Sequence, residues 1–252
     1  MNSRWSKCKI QPFIEKYSID VFEFKDPISS YHSFNDFFIR KLKLESRPIH
    51  FNDAVIPADG RYYFYSDISK VDGFIVKGEK FDVDSLLQDT QLANRYKDAS
   101  VVLARLCPVD YHRYHFPCDC TPSVAKIING YLYSVNPIAI KQNIHIFAKN
   151  KRAVTEFETD KFGKVLFLEI GATNVGSINQ TYVPGNTYSK GEEKGYFSFG
   201  GSALIILFEQ GSIQFDQDLL DATKNGFEIR CLMGQSMGVS GAELPIAIPN
   251  RT

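Results

Sequence analysis

The chain has 252 residues, 44% of them hydrophobic and 23% charged, the balance of a folded globular protein and not of a disordered one. Lys plus Arg equals Asp plus Glu at 29 each, so there is no overall basic footprint for nucleic acid, and the five cysteines, an odd number, fit a reducing compartment. The longest unbroken apolar run is Ala203 to Phe208, far short of the roughly 20 residues of a spanning helix, and the start MNSRWSKCKIQPF lacks the apolar stretch of a secretory signal.

Residues 10–20 and 33–44 read as helical. Phe34, Phe37, Phe38 and Leu42 recur at helical spacing, Ser33 is a suitable N-cap, and Arg47-Pro48 ends the segment. After Pro57 the texture changes to short runs rich in Tyr, Phe, Val and Ile, separated by Gly, Asp and Pro, the pattern of strands. These runs are 61–66, 73–76, 100–105, 125–134, 165–170, 176–182 and 203–208, with one later helix predicted over 82–96. The expected fold is α+β: a single domain over 1–252, with a helical N-terminal segment over about 1–48 and a β-dominated body over about 49–252.

Four groups of residues could carry chemistry. Gly234-Gln-Ser236-Met-Gly238 matches the nucleophile-elbow pattern, but that device needs an Asp and a His later in the chain and none follows. His112-Arg-Tyr-His115-Phe-Pro-Cys118-Asp-Cys120 offers four zinc-type ligands, crowded into nine residues with a proline among them, where structural zinc sites use two separated pairs; two half-buried cysteines are the plainer reading, and no metal is predicted. Pro57-Ala-Asp59-Gly60 alone is a turn. Phe199-Gly200-Gly201-Ser202-Ala203 places two glycines in an apolar strand, which marks a bulge or a close backbone approach and leaves the Gly201 carbonyl unshielded beside the Ser202 hydroxyl.

Taken in order, these segments resemble the phosphatidylserine decarboxylase family. The resemblance rests on Ser33-Phe-Asn-Asp-Phe-Phe-Ile-Arg-Lys-Leu with Arg47-Pro48-Ile49, on Pro57-Ala-Asp59-Gly60 and on Asp110-Tyr-His112-Arg-Tyr-His115-Phe-Pro117. It continues through Tyr133-Ser-Val-Asn136, Phe147-Ala-Lys-Asn150, Gly171-Ala-Thr-Asn-Val-Gly176-Ser-Ile178, and Lys190-Gly-Glu-Glu-Lys-Gly-Tyr-Phe leading into Phe199-Gly-Gly-Ser202. It spans about residues 33 to 238. Ala203 stands where the family usually has Ser or Thr, and Gly200 where many members carry a larger apolar residue.

The resemblance implies a self-cleaving enzyme that converts phosphatidylserine to phosphatidylethanolamine and CO2. Ser202 would attack the Gly201 carbonyl and end as a covalent pyruvoyl group, the cofactor, leaving a β chain of residues 1–201 and an α chain of 202–252 that stay together. A serine hydroxyl needs an adjacent base; His115 is the candidate, oriented by Asp59 as in a triad. The pyruvoyl ketone would form a Schiff base with the substrate amine and act as the electron sink. His112 is the candidate acid that reprotonates the product. His32, His50 and His145 receive no role. A related serine phospholipid such as an archaetidylserine is the alternative substrate, and a non-enzymatic zinc- or lipid-binding relative the alternative class.

The implied partner is phosphatidylserine in a membrane surface, and the implied location is peripheral, on the cytoplasmic face of a bacterial-type inner membrane. The N-terminal part, with Trp5, Ile10, Phe13, Ile14 and Ile19 among Arg4, Lys7, Lys9 and Lys16, is the expected contact. Oligomeric state is left open by the sequence, a homodimer being one option.

Overall fold

The computed structural model describes residues 1–71, 82–173 and 177–241. At the N-terminus a 3-10 turn over Arg4–Lys9, capped by Ser3, runs into helix α1 (Ile10–Tyr17). Ile10 and Ile14, one turn apart, bury one face of α1 against Phe34, Phe37 and Phe38. Helix α2 (Phe34–Phe38) begins where predicted, with the Ser33 hydroxyl accepting from the Asp36 N–H. It stops early because the following residues turn to pair with the chain near Phe24: Lys25 N–H donates to Lys41 O at 2.9 Å and Lys43 N–H to Glu23 O at 2.9 Å. The predicted 82–96 helix is two helices, α3 (Val83–Leu87) and α4 (Thr90–Arg95). Gln88 enters the left-handed region at φ 47° and Asp89 caps a new start, so the second capping residue outcompetes continuation.

The body is antiparallel β structure. Its strands are β1 (Ala54–Val55), β2 (Gly60–Tyr65), β3 (Ser100–Leu106), β4 (Arg113–His115), β5 (Thr121–Pro122), β6 (Lys126–Ile128) and β7 (Arg152–Thr159). They continue as β8 (Gly163–Gly171), β9 (Ile178–Gln180), β10 (Glu193–Phe197), β11 (Ser202–Phe208), β12 (Ile213–Phe215), β13 (Ile229–Cys231) and β14 (Ser236–Ser240). The main sheet runs β13-β2-β3-β11-β8-β7-β5, with β6 also paired to β7; two small sheets run β4-β10-β9 and β1-β14-β12. Helices α5 (Pro137–Gln142), α6 (Ile146–Lys149) and α7 (Gln217–Lys224) complete the described chain. The fold is α+β. The 73–76 strand expected from sequence lies outside the described residues.

Strand β11 is buried on both faces. Leu204, Ile206 and Phe208 pack with Phe64, Val102 and Phe167, while Ala203, Ile205 and Leu207 pack with Leu86, Val101 and Leu166. Two-sided burial explains why this strand reads as an unbroken apolar run. Register brings its first residue to one end of the sheet: Ser202 lies opposite Leu106 of β3 and opposite Gly171 of β8, and Arg61 of β2 lies opposite Arg105. Asp59 and Gly60, the end of β3 with the turn after it, Gly201-Ser202 and Gly171 therefore gather along one edge. Gly60 is required there, since a Cβ would stand 2.9 Å from the Arg105 carbonyl oxygen.

Candidate active site

Ser202 is fully buried at the head of β11, and its Oγ has no hydrogen-bond partner. The two glycines before it are not inside a strand, as the sequence suggested; they belong to the connection from Phe197 to Ser202. Gly200 has φ 147°, a conformation that glycine adopts without the clash a Cβ brings. The connection is held on both sides. Phe199 N–H donates to Asn35 Oδ1 at 2.8 Å, Gly201 N–H to Thr173 O at 3.3 Å, and the Phe199 ring packs on Phe34 and Phe38. Helix α2 thus grips the segment that leads into Ser202.

His112 stands beside the same segment. Its ring centroid is 3.9 Å from that of Phe38, and its carbonyl accepts from the Phe197 N–H at 3.0 Å. Nδ1 lies 2.9 Å from the Asp110 carbonyl, and since a carbonyl only accepts, Nδ1 carries the proton. Nε2 is then a bare acceptor, buried without a partner. Burial pushes the His112 pKa down to about 3, against a smaller opposing effect of the Asp110 and Gly200 carbonyls. Burial thus favours the neutral ring.

His115 in β4 faces elsewhere. Its Nδ1 donates to Gly191 O at 2.8 Å, and its Nε2 accepts from the Tyr111 hydroxyl at 3.3 Å. Burial lowers its pKa as well. Asp59 is buried, but its carboxylate is taken by Arg47, whose Nε donates to Oδ1 at 2.9 Å and Nη2 to Oδ2 at 2.6 Å, and by the Met233 N–H at 2.9 Å. Arg47 also bridges to Glu23. The hydrogen-bonded relay Asp59–His115–Ser202 is therefore not closed in the uncut chain. Asp59 and His115 do adjoin through the backbone, where His115 N–H donates to Pro57 O at 2.8 Å. A cleft of about 710 Å³ opens over this side, lined by His115, Tyr111 and Arg47 with Lys25, Lys41, Lys43, Leu44 and Ile49.

Sequence reasoning missed the groups that only tertiary contact defines. Arg47 was read as the end of a helix, and the signal for more was its place in the Arg47-Pro48-Ile49 motif. Arg40 lies buried between the Phe24 and Phe37 rings and donates to Val109 O at 3.3 Å, next to the His112 turn. Tyr111 and Asn35 sit inside the motifs too, but only the fold brings them to His115 and Phe199. The discounted motifs resolve as follows. Ser236 opens β14 after a turn at Gly234 and accepts from Asn52 at 2.7 Å, so the serine leads into a strand where the elbow pattern needs a helix. Cys118 and Cys120 are buried in the aromatic core, where burial pushes the Cys120 thiol up to about 12. Among the described residues no three His, Cys, Asp or Glu side chains are placed to share a metal ion.

The sequence pattern of phosphatidylserine decarboxylase matches residues 34–239. The chain belongs to the phosphatidylserine decarboxylase family. It is 52% identical over 241 residues to the phosphatidylserine decarboxylase proenzyme of Chlamydia pneumoniae, covering 95% of this chain and 80% of that protein. It is 53% identical over 238 residues to the proenzyme of Chlamydia caviae, covering 94% and 80%, and 48% identical over 240 residues to that of Fusobacterium nucleatum, covering 94% and 80%. In this member of the decarboxylase family no helix among the described residues is long and apolar enough to cross a membrane. The expected N-terminal membrane face is largely used internally: Ile10 and Ile14 are buried on the body, and Trp5 alone of the named apolar residues stands well exposed, at 89%.

Proposed function

We propose that this chain cuts itself between Gly201 and Ser202 and then decarboxylates phosphatidylserine to phosphatidylethanolamine. The relatives' proenzyme names support this, and the observation that carries it is Ser202 itself: a buried hydroxyl with no partner, on a connection clamped by Asn35 and Thr173. A buried hydroxyl left unsatisfied costs stability, and such defects concentrate where chemistry occurs. In maturation the Ser202 Oγ bonds to the Gly201 carbonyl carbon as the Gly201–Ser202 C–N bond breaks and the hydroxyl proton passes to the freed amine, giving an ester that still joins the chain. Loss of the Ser202 Cα proton then breaks the Cβ–Oγ bond and releases residues 1–201 as a carboxylate. Water replaces the amine nitrogen, which leaves as ammonia, to give the ketone.

The position of Ser202 suits a pyruvoyl group, which when present supplies an electron sink for the pair released with CO2. The remaining work falls to the chain's own side chains. His115 takes the hydroxyl proton, with Asp59 orienting it once Arg47 yields the carboxylate. His112 holds the proton that reaches the product carbon; the substrate's anionic groups, entering its buried surroundings, raise its basicity from the uncut state. Lys25, Lys41 and Lys43 at the cleft mouth receive the anionic headgroup at the bilayer surface, with the exposed Leu44 toward the lipid.

A second assignment is favoured by one specific observation. His112 Nε2 lacks a donor and Ser202 Oγ lacks an acceptor, and both flank the Gly200–Ser202 segment. In that reading His112 is the base for cleavage. Alanine variants separate the two. With His115 as base, His115→Ala, Asp59→Ala and Ser202→Ala remain uncut on a denaturing gel, while His112→Ala cuts but releases little CO2 from phosphatidylserine. The reverse pattern for the two histidines exchanges their roles.

A further inference from the structure

Arg61 of β2 lies directly opposite Arg105 of β3 on one side and Arg230 of β13 on the other. Residues directly opposed in antiparallel strands share a face, so three guanidinium groups occupy one rung. Arg105 is compensated: its Nε and Nη2 donate to Glu228 at 2.7 and 2.6 Å, and its Nη1 to Val135 O at 3.2 Å. Arg61 and Arg230 have no such direct pair and share only the more distant attraction of the buried Asp110 carboxyl. Among the described residues no carboxylate comes within ion-pair distance of either, and Arg61 Nη1 is buried without a hydrogen-bond partner. Like charges directly opposite each other destabilise a sheet, and an unsatisfied buried donor adds to that cost.

A cavity of about 270 Å³ opens over Arg61 and Arg105, lined also by Lys141, Ile140, Phe227 and the Glu228 carboxylate that pairs with Arg105, with Arg230 outside its lining. Lys141 comes from the last turn of α5, and Phe227, 68% exposed, stands at the opening. Arg105 is also opposite Ala203, so the row lies one position along from Ser202. Alternation places it on the other face of the sheet from the Ser202 side chain, with Asp110 of the His112 turn near both Arg61 and Arg230.

We propose that the cavity holding Arg61, Arg105 and Lys141 is a binding site for a phosphate-class anion, either a phosphate diester of a lipid headgroup or a free phosphate. Planar guanidinium groups match phosphate oxygens with paired N–H donors, and Lys141 adds a point charge. The anion supplies the missing acceptor for Arg61 Nη1 and adds negative charge beside three guanidinium groups that have only Glu228 and Asp110 to balance them.

Thermal unfolding at low ionic strength tests this, on the full chain with and without millimolar inorganic phosphate. Sedimentation with phosphatidylcholine vesicles, with and without phosphatidylglycerol, forms the second arm. Without phosphate, Arg61→Gln should melt no lower than wild type, because repulsion is relieved. Phosphate should raise the wild-type Tm by several degrees through mass action and leave Arg61→Gln almost unmoved. Lys141→Gln, at an exposed position of the cavity lining, repeats the test should Arg61→Gln fail to fold. A phosphate response lost in the variants identifies a free anion. Binding to anionic vesicles that weakens about tenfold in the variants, without a phosphate response, identifies a lipid headgroup. Wild type indifferent to both probes, or variants that respond as wild type does, overturns the proposal.

Discussion

At His112 burial sets the protonation state, and this has a measurable consequence for stability. The folded pKa is held near 3 against an ordinary 6.5. Between those values the unfolded chain binds a proton that the folded chain does not. The contribution to stability is complete above about pH 6.5 and is lost as pH falls toward 3, at up to about 1.4 kcal/mol per pH unit. His115 is shifted in the same direction. Replacing His112 with Asn should flatten the pH dependence of urea unfolding between about pH 6.5 and 4 by close to one proton. Equal slopes in wild type and variant would mean that His112 is not held neutral. Asn35 offers a second residue-level test. Its Oδ1 accepts from Phe199 N–H, a bond worth about 1 kcal/mol. Asn35→Ala should slow cleavage severalfold, followed on a denaturing gel over time, with little change in Tm; unchanged cleavage would show that the clamp does not matter.

Among the elements, β7, β8 and β10 are joined by a buried ion pair. Lys194 of β10 and Glu169 of β8 are both fully buried and directly paired, and Lys194 also donates to Thr155 of β7 at 3.1 Å and to Gln180 of β9 at 2.9 Å. Aromatic rings of Tyr114, Phe157, Phe167 and Tyr182 surround the ammonium. Lys194→Met leaves Glu169 buried without its partner and should cost about 3–5 kcal/mol in urea unfolding. Adding Glu169→Leu should recover much of that loss, as replacing a whole buried pair often does; a double variant as weak as the single would place the cost in packing.

The same elements show what could be read from sequence. Strands β2, β3, β8 and β11 were legible because both of their faces are apolar or aromatic. Strand β7 was missed because Arg152 and Thr155 interrupt its pattern while being fully buried; Arg152 is satisfied by the carbonyls of Leu86, Ser85 and Asn150, which no local rule foresees. Strand β10 was missed for the same reason at Lys194. The candidate site residues come from motif order. The partners of Asp59 and His115 were not, because Arg47, Tyr111 and Gly191 reach them only through the tertiary fold.

For the whole molecule, the position of β11 decides what cleavage would do. It lies in the middle of the main sheet, hydrogen-bonded to β3 on one side and β8 on the other. Strands β13 and β14, further along the same fragment, pair with β2 and β1. The small chain from residue 202 onward should therefore stay bound after the peptide bond breaks. Its two ladders and buried apolar faces are untouched, so the fragments should co-elute by size exclusion and part only in denaturant. Separation under native conditions would contradict this sheet order.

The cleavage itself is the central claim, and intact mass spectrometry of the purified, denatured wild-type protein tests it most directly. The 28.6 kDa chain should be replaced, without added protease, by residues 1–201 and a fragment beginning at position 202. The fragment should carry a ketone in place of its amino terminus, and Ser202→Ala should give only the uncut mass. A wild-type chain that stays whole while folded at neutral pH, or a break anywhere other than Gly201–Ser202, would contradict the account.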